Sequence, residues 1–144
     1  MNICAIILSA GKSKRFKSSL PKFLHKISGK ELIQFNIDAL KKIKELKKTF
    51  IISSKDNKKY FNNSIFIQNP IDGTGGALKQ FYKYNKKFDY YLLTLADTPI
   101  FDYKILSKFL SKGVKSRVDL SVLTQNVENS KGYGRIIRKN KSFI

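Results

Sequence analysis

The chain has 144 residues, enough for one domain with a real core, and its 42% hydrophobic and 12% aromatic content excludes a disordered chain. Its longest apolar runs are too short to cross a bilayer, and no charged segment precedes the first of them, so neither a membrane span nor a secretory leader is expected. A net charge of +19, from 29 Lys and Arg against 10 Asp and Glu, invites a polyanionic partner, but the cations recur from Lys12 to Lys141 without forming one patch, so nucleic acid is not expected.

Residues 3–9 are continuously apolar before Ser9, the pattern of a strand buried on both faces in a parallel sheet. The single cysteine, Cys4, lies inside this run; it reads as a small buried hydrophobe in a reducing, cytoplasmic setting. Residues 10–29 form a loop punctuated by Pro21 and Gly29. From Lys30 to Lys47 the apolar residues Ile33, Ile37 and Leu40 share a helical face, and lysines fill the last turn, where they suit the helix dipole. Thr49 to Ser53 is a second strand, Lys55 to Asn62 a short helix or turn, and Ile65 to Gln68 a third strand. The glycine-rich turn Asp72-Gly73-Thr74-Gly75-Gly76 opens a helix carrying Leu78, Phe81 and Tyr82. Asp89 to Leu95 is a fourth strand, rich in β-formers, that ends at Ala96-Asp97-Thr98-Pro99. Asp102 caps a helix that Gly113 stops, Asp119 to Thr124 is a fifth strand, and Arg135 to Arg138 starts a hairpin whose return begins at Ser142. This alternation predicts an open, mostly parallel α/β sheet with right-handed crossovers, in one domain over residues 1–144.

In such sheets ligands gather at the carboxyl ends of the strands. Here those ends deliver Ala10-Gly11 followed by Lys12, Arg15 and Lys22; Gln68 followed by the Gly73-Thr74 turn; and Asp97. A cationic loop, a close-approach glycine turn and one carboxylate suit a nucleotide, its phosphates and a metal ion. Each part has a plainer reading: the loop as lysine-rich surface, the glycines as an ordinary helix start, Asp97 as a turn-former before Pro99. The glycine spacings match neither a Walker A loop nor Gly-x-Gly-x-x-Gly. His25 is the sole histidine, unaccompanied by a cysteine cluster, so zinc is not expected and a capping or packing role fits it better.

Taken together, Leu8-Ser9-Ala10-Gly11-Lys12-Ser13-Lys14-Arg15-Phe16, Leu20-Pro21-Lys22-Phe23-Leu24-His25, Gln68 with Gly73-Thr74-Gly75, Leu95-Ala96-Asp97-Thr98-Pro99 and Gly132-Tyr133-Gly134-Arg135 resemble, in order, the signatures of the sugar nucleotidyltransferases. The resemblance is strongest to the N-terminal uridylyltransferase domain of the bifunctional GlmU family, and it covers essentially the whole chain. It implies a Rossmann-like nucleotidyltransferase fold with helices on both faces of the sheet. It also implies a reaction in which the phosphate of N-acetylglucosamine 1-phosphate attacks the α-phosphorus of UTP, with Mg²⁺ as cofactor and pyrophosphate as leaving group. By the same resemblance Leu8, Ser9, Ala10 and Gly11 line the nucleotide, Arg15 and Lys22 hold the triphosphate, and Gln68, Gly73 and Thr74 recognise uracil. Leu95 and Ala96 lie against the nucleoside, Asp97 holds Mg²⁺, and Gly132 meets the sugar. Such transfers rely on positioning and charge neutralisation, and an ionised phosphate nucleophile needs no general base.

Four departures from the family pattern stand out. Ser13 replaces a loop glycine, Lys14 a threonine, and Leu95-Ala96 a Tyr-Gly pair. The sequence also ends before the family's downstream sugar ligands, its second metal ligand, and the C-terminal β-helix that carries acetyltransferase activity and builds a trimer. If residue 144 is the true end, nucleotide binding with little or no turnover is expected, and a trimer only where that further domain exists. A CTP- or GTP-using relative and an inactive nucleotide- or polyanion-binding module are the alternatives.

Overall fold

The computed structural model describes residues 1–11, 17–62, 65–85, 87–139 and 142–143. In chain order the elements are β1 (Ile3–Leu8), a short hairpin of β2 (Lys26–Ile27) and β3 (Lys30–Glu31), α1 (Leu32–Lys41), β4 (Leu46–Ser53), β5 (Phe66–Ile67), α2 (Gly73–Tyr84), β6 (Tyr90–Leu95), α3 (Tyr103–Ser116), and a terminal hairpin of β7 (Arg138–Lys139) and β8 (Ser142–Phe143). Single turns of 3-10 helix occupy Lys22–Leu24 and Lys58–Tyr60.

Four of these strands form one parallel sheet in the order β5-β4-β1-β6. The first strand is central, and all of Ile3, Cys4, Ala5, Ile6 and Ile7 are at most 1% exposed. Because strand side chains alternate, β1 feeds two cores. Ile3, Ala5 and Ile7 pack with Ile33 and Leu40 of α1 and Leu106 and Leu110 of α3. Cys4 and Ile6 pack with Ala77 and Phe81 of α2, and Phe50, Phe66 and Tyr91 set their rings around Phe81 at 4.8, 5.5 and 6.5 Å. The i, i+4 apolar pairs of α2 and α3 are the stripes that make these helices bury one face. Helices therefore cover both faces, as the resemblance implies. Burial in this apolar layer pushes the Cys4 thiol up to about 12. No helix among the described residues is long and apolar enough to cross a membrane.

The structure corrects several expected boundaries. The helix read over 30–47 is shorter at both ends. Lys30 and Glu31 pair back onto Ile27 and Lys26, and Leu46 to Lys48 are drawn into β4 beside Ile3 and Cys4. Asp102 does cap α3, its carboxylate accepting from the Lys104 N–H at 2.9 Å. Gly113, however, lies inside that helix, which ends instead at Arg117 with φ +50°. Its missing Cβ serves a close approach, since one built there would meet Ser121 Oγ at 3.1 Å. The strand expected over 119–124 is irregular. Its β-forming residues find no sheet edge to pair with, and Leu120, Val122 and Leu123 are left exposed. The terminal hairpin forms, but its first strand begins at Arg138 rather than Arg135.

Candidate functional site

In this strand order the chain moves outward from β1 through β4 to β5 and then returns to the other side of β1 as β6. The carboxyl ends of β1 and β6 therefore flank the switch point at which open α/β sheets bind ligands. A cleft of about 230 Å³ opens there. Leu8, Ser9, Ala10 and Gly11 form its floor from the end of β1, and Leu95, Ala96 and Asp97 close it from the end of β6. Gln68, Gly73 and Thr74 enter from the exit of β5 and the start of α2, and Lys22 from the 3-10 turn.

These strand ends are tied to one another by polar bonds. The Ser9 N–H and Oγ both donate to the Ile52 carbonyl, at 2.8 and 3.1 Å. The Ser9 carbonyl accepts from Ser53 Oγ at 3.3 Å and from Asn57 Nδ2 at 3.0 Å. The Ala96 N–H donates to the Leu8 carbonyl at 3.0 Å, and the Gln68 N–H to the Ser53 carbonyl at 2.8 Å. Ser9, Ala10, Ala96 and Gln68 are consequently buried, and the cleft floor is backbone and small side chains, which let a ligand come close. Gly73 takes φ +87°, a conformation that only glycine adopts readily, where the chain turns into α2.

Charge sits at the lip. Lys22 Nζ and Asp97 Oδ2 form an ion pair at 3.1 Å, with side chains 41% and 38% exposed. Lys22 is presented by a turn whose next residue, Phe23, is buried and stacks on Phe61 at 5.5 Å. Asp97 is carried by a turn closed by Thr98 N–H to Leu95 O at 3.1 Å. Asn36, fully buried in α1, holds that turn by donating to the Thr98 carbonyl at 3.0 Å. His25 Nε2 lies 3.2 Å from Ser18 Oγ.

Eleven of the residues singled out from sequence thus line one cleft: Leu8, Ser9, Ala10, Gly11, Lys22, Gln68, Gly73, Thr74, Leu95, Ala96 and Asp97. Gly132 is not among its lining residues; it takes φ +83° in an exposed turn closed by Tyr133 N–H to Ser130 O at 3.1 Å. Arg15, with Lys12, Ser13 and Lys14, lies outside the described residues. Sequence reasoning missed Phe23, Ile71 and Ala77 in the lining. The apolar positions beside Lys22 and before Gly73 were the available signal. No group of three or more His, Cys, Asp or Glu among the described residues could hold a metal ion by itself. Asp97 instead offers a single carboxylate, 38% exposed, at the lip of the cleft. That donor set fits Mg²⁺ in its common mode, with one carboxylate and the remaining ligands from substrate phosphates and water.

Comparison with known proteins places the chain in a family. The MobA-like NTP transferase domain matches residues 5–133. The bifunctional protein GlmU of Clostridioides difficile (strain 630) is 36% identical over 149 residues, covering 100% of this chain and 32% of that protein. The bifunctional protein GlmU of Buchnera aphidicola subsp. Schizaphis graminum is 36% identical over 148 residues, covering 99% and 32%. The chain therefore spans about a third of the length of these relatives. Among solved structures, a CMP:2-keto-3-deoxy-manno-octonic acid synthetase complexed with CTP superposes with a TM-score of 0.64 at 16% identity, over 81% of this chain and 49% of that one. That likeness establishes the nucleotidyltransferase fold. The chain belongs to the MobA-like NTP transferase family, and within it is similar to the N-terminal pyrophosphorylase-type domain of the GlmU proteins.

Proposed function

We propose that this chain is a uridylyltransferase domain that joins UTP to N-acetylglucosamine 1-phosphate, giving UDP-N-acetylglucosamine and pyrophosphate. The observation that carries this reading is the convergence of Ser9 to Gly11, Gln68, Gly73, Thr74, Lys22 and Asp97 on one cleft at the sheet's switch point. UTP and N-acetylglucosamine 1-phosphate are the substrates that the sequence resemblance implies, and the 36% identity to a GlmU protein supports that choice. In the reaction an oxygen of the sugar phosphate forms a bond to the α-phosphorus of UTP, and the bond from that phosphorus to the bridging oxygen breaks, so that the electron pair leaves on pyrophosphate.

The role of each residue is the one the family resemblance implies, and its chemistry is consistent with that role. The floor of Leu8 to Gly11 lets the nucleotide lie close against backbone, and Leu95 and Ala96 bound the nucleoside from the other side. Gln68, Gly73 and Thr74 meet the uracil edge. Lys22 holds triphosphate oxygens and offsets the charge that develops on the leaving group, with Arg15 beside it in the resemblance. Asp97 would hold Mg²⁺, which when bound neutralises phosphate charge and orients the leaving group. Gly132 would meet the sugar, a role that rests on the resemblance alone.

The test is pyrophosphate release from UTP and N-acetylglucosamine 1-phosphate with Mg²⁺, repeated with EDTA and with CTP, GTP and ATP in place of UTP. Release that requires Mg²⁺ and UTP is expected. Faster turnover with CTP or GTP would reassign the base; the solved relative complexed with CTP makes CTP the main competitor. Nucleotide binding with no release, from this chain and from a version extended downstream, would leave a binding module.

A further inference from the structure

The orientation of the Gln68 amide is chemically forced. Its Nε2 donates to Asp72 Oδ1 at 2.8 Å and to the Gly73 carbonyl at 3.0 Å. Both partners are acceptors only, so exchanging the amide oxygen and nitrogen would set oxygen against oxygen twice. The amide nitrogen is thereby committed to the start of α2. Oε1 remains as the polar side-chain atom that this 4% exposed glutamine can offer the cleft it lines.

Asp72 is what holds this arrangement. An aspartate in front of a helix ordinarily caps it, yet Asp72 makes no side-chain cap bond to α2. Its Oδ1 accepts instead from Gln68 and, at 3.3 Å, from Gln80 Nε2. Gln80 is itself fixed, donating to the Pro70 carbonyl at 2.9 Å and accepting from the Asn69 N–H at 2.8 Å. The space for the carboxylate comes from Gly76, since a Cβ built there would stand 1.8 Å from Asp72 Oδ1 and 2.0 Å from its Cγ. Asp72 and Gly76 therefore work as a pair: the absent side chain of one admits the carboxylate of the other.

We propose that Asp72 is a positioning residue for base selection, holding Gln68 so that its carbonyl oxygen faces the base. An acceptor there favours an edge with a ring N–H, such as N3–H of uracil, over the bare N3 acceptor of cytosine in the same pose. An acceptor facing an acceptor leaves both unpaired. This rests on the uridine reading of the cleft given above.

The experiment is calorimetric titration of UTP and of CTP, each with Mg²⁺, into the wild-type chain and its Asp72→Ala, Asp72→Asn and Gly76→Ala variants, with circular dichroism as a check on folding. The readout is the ratio of the CTP to the UTP Kd, which a merely structural role would not move. The wild-type ratio is expected to be about tenfold or more. It should fall severalfold in Asp72→Ala, where the Gly73 carbonyl alone still holds the amide nitrogen, and equally in Gly76→Ala, where the new methyl group evicts the carboxylate. Asp72→Asn keeps an oxygen acceptor and should retain the ratio. Retention of the wild-type ratio by Asp72→Ala or by Gly76→Ala overturns the inference, as does its loss in Asp72→Asn. A wild-type ratio near one overturns the uridine reading instead.

Discussion

Asp97→Asn should separate stability from activity, because the structure assigns Asp97 little of the first. Its carboxylate lies 3.1 Å from Lys22 Nζ, but the two side chains are 38% and 41% exposed. Unscreened, two charges at that distance would attract by several kcal/mol at an effective dielectric of about 20. Water at both groups and the entropy of holding a lysine in place reduce exposed pairs to about 0.2–1 kcal/mol. For a chain of this length, that is a fall in Tm of no more than about 5 °C. On the proposed function, the same substitution removes the one carboxylate placed to hold Mg²⁺ against the phosphates. Losing one such electrostatic contact costs on the order of 100-fold or more in rate. The assay pairs a thermal melt with pyrophosphate release measured across a Mg²⁺ titration. A Tm within the stated range together with a large loss of rate is the expected outcome. A melt lowered by more than about 10 °C would show the residue to be structural, and wild-type turnover would refute the metal role.

Other consequences are equally specific. Phe81→Ala removes a side chain that is 1% exposed and ringed by Phe50, Phe66 and Tyr91, so urea denaturation should show a loss of about 3–5 kcal/mol. Asn36→Ala cuts the bond from α1 to the Thr98 carbonyl and leaves that acceptor without its donor; the same assay should show a loss of about 1–3 kcal/mol. Turnover should fall as well, because the turn carrying Asp97 loses its tether. The Cys4 thiol, pushed up to about 12 by burial, should resist a disulfide reagent at pH 8 until denaturant is added. Its folded pKa lies above its unfolded one, so its contribution is complete below about pH 9 and is lost as pH rises toward 12. Cys4→Ala should therefore flatten the alkaline decline in stability measured by urea titration.

How much could be read beforehand depended on how local the cause was. Strand β1 was legible because a buried parallel strand announces itself as an unbroken apolar run. The strand ends followed from their small residues, and eleven expected site residues do share one cleft. The helix over 30–47 was overextended because Lys30, Glu31 and Leu46 keep helical spacing, yet Lys30 and Glu31 pair in the local hairpin with Ile27 and Lys26, and Leu46 pairs with Ile3 of the central strand. Gly113 reads as a stop signal locally, whereas its real duty is to admit Ser121 from a later segment. Residues 119–124 have strand composition but no partner edge. The role of Asp72 was hidden for a different reason: it depends on which way one carboxylate folds across Gly76, and no pattern of residue types encodes that.

The two-sided burial of β1 has a consequence for how the sheet keeps its alignment. A half-exposed strand carries its register in its polarity, since a slip of one residue would turn apolar groups to water. Strand β1 has no such signal, because Ile3, Cys4, Ala5, Ile6 and Ile7 are apolar toward either core. Its alignment must be set at the ends. At one end Asn2 and Asp89 exchange backbone and side-chain bonds of 2.6 and 2.7 Å. At the other stand the bonds of Ser9 to Ile52, Ser53 and Asn57, and of Ala96 to Leu8. The latter also shape the floor of the cleft. On the proposed function, a substitution at Ser9 that weakens nucleotide binding should thus also loosen the pairing of β1 with β4, because the cleft floor doubles as the stop against which the central strand is aligned.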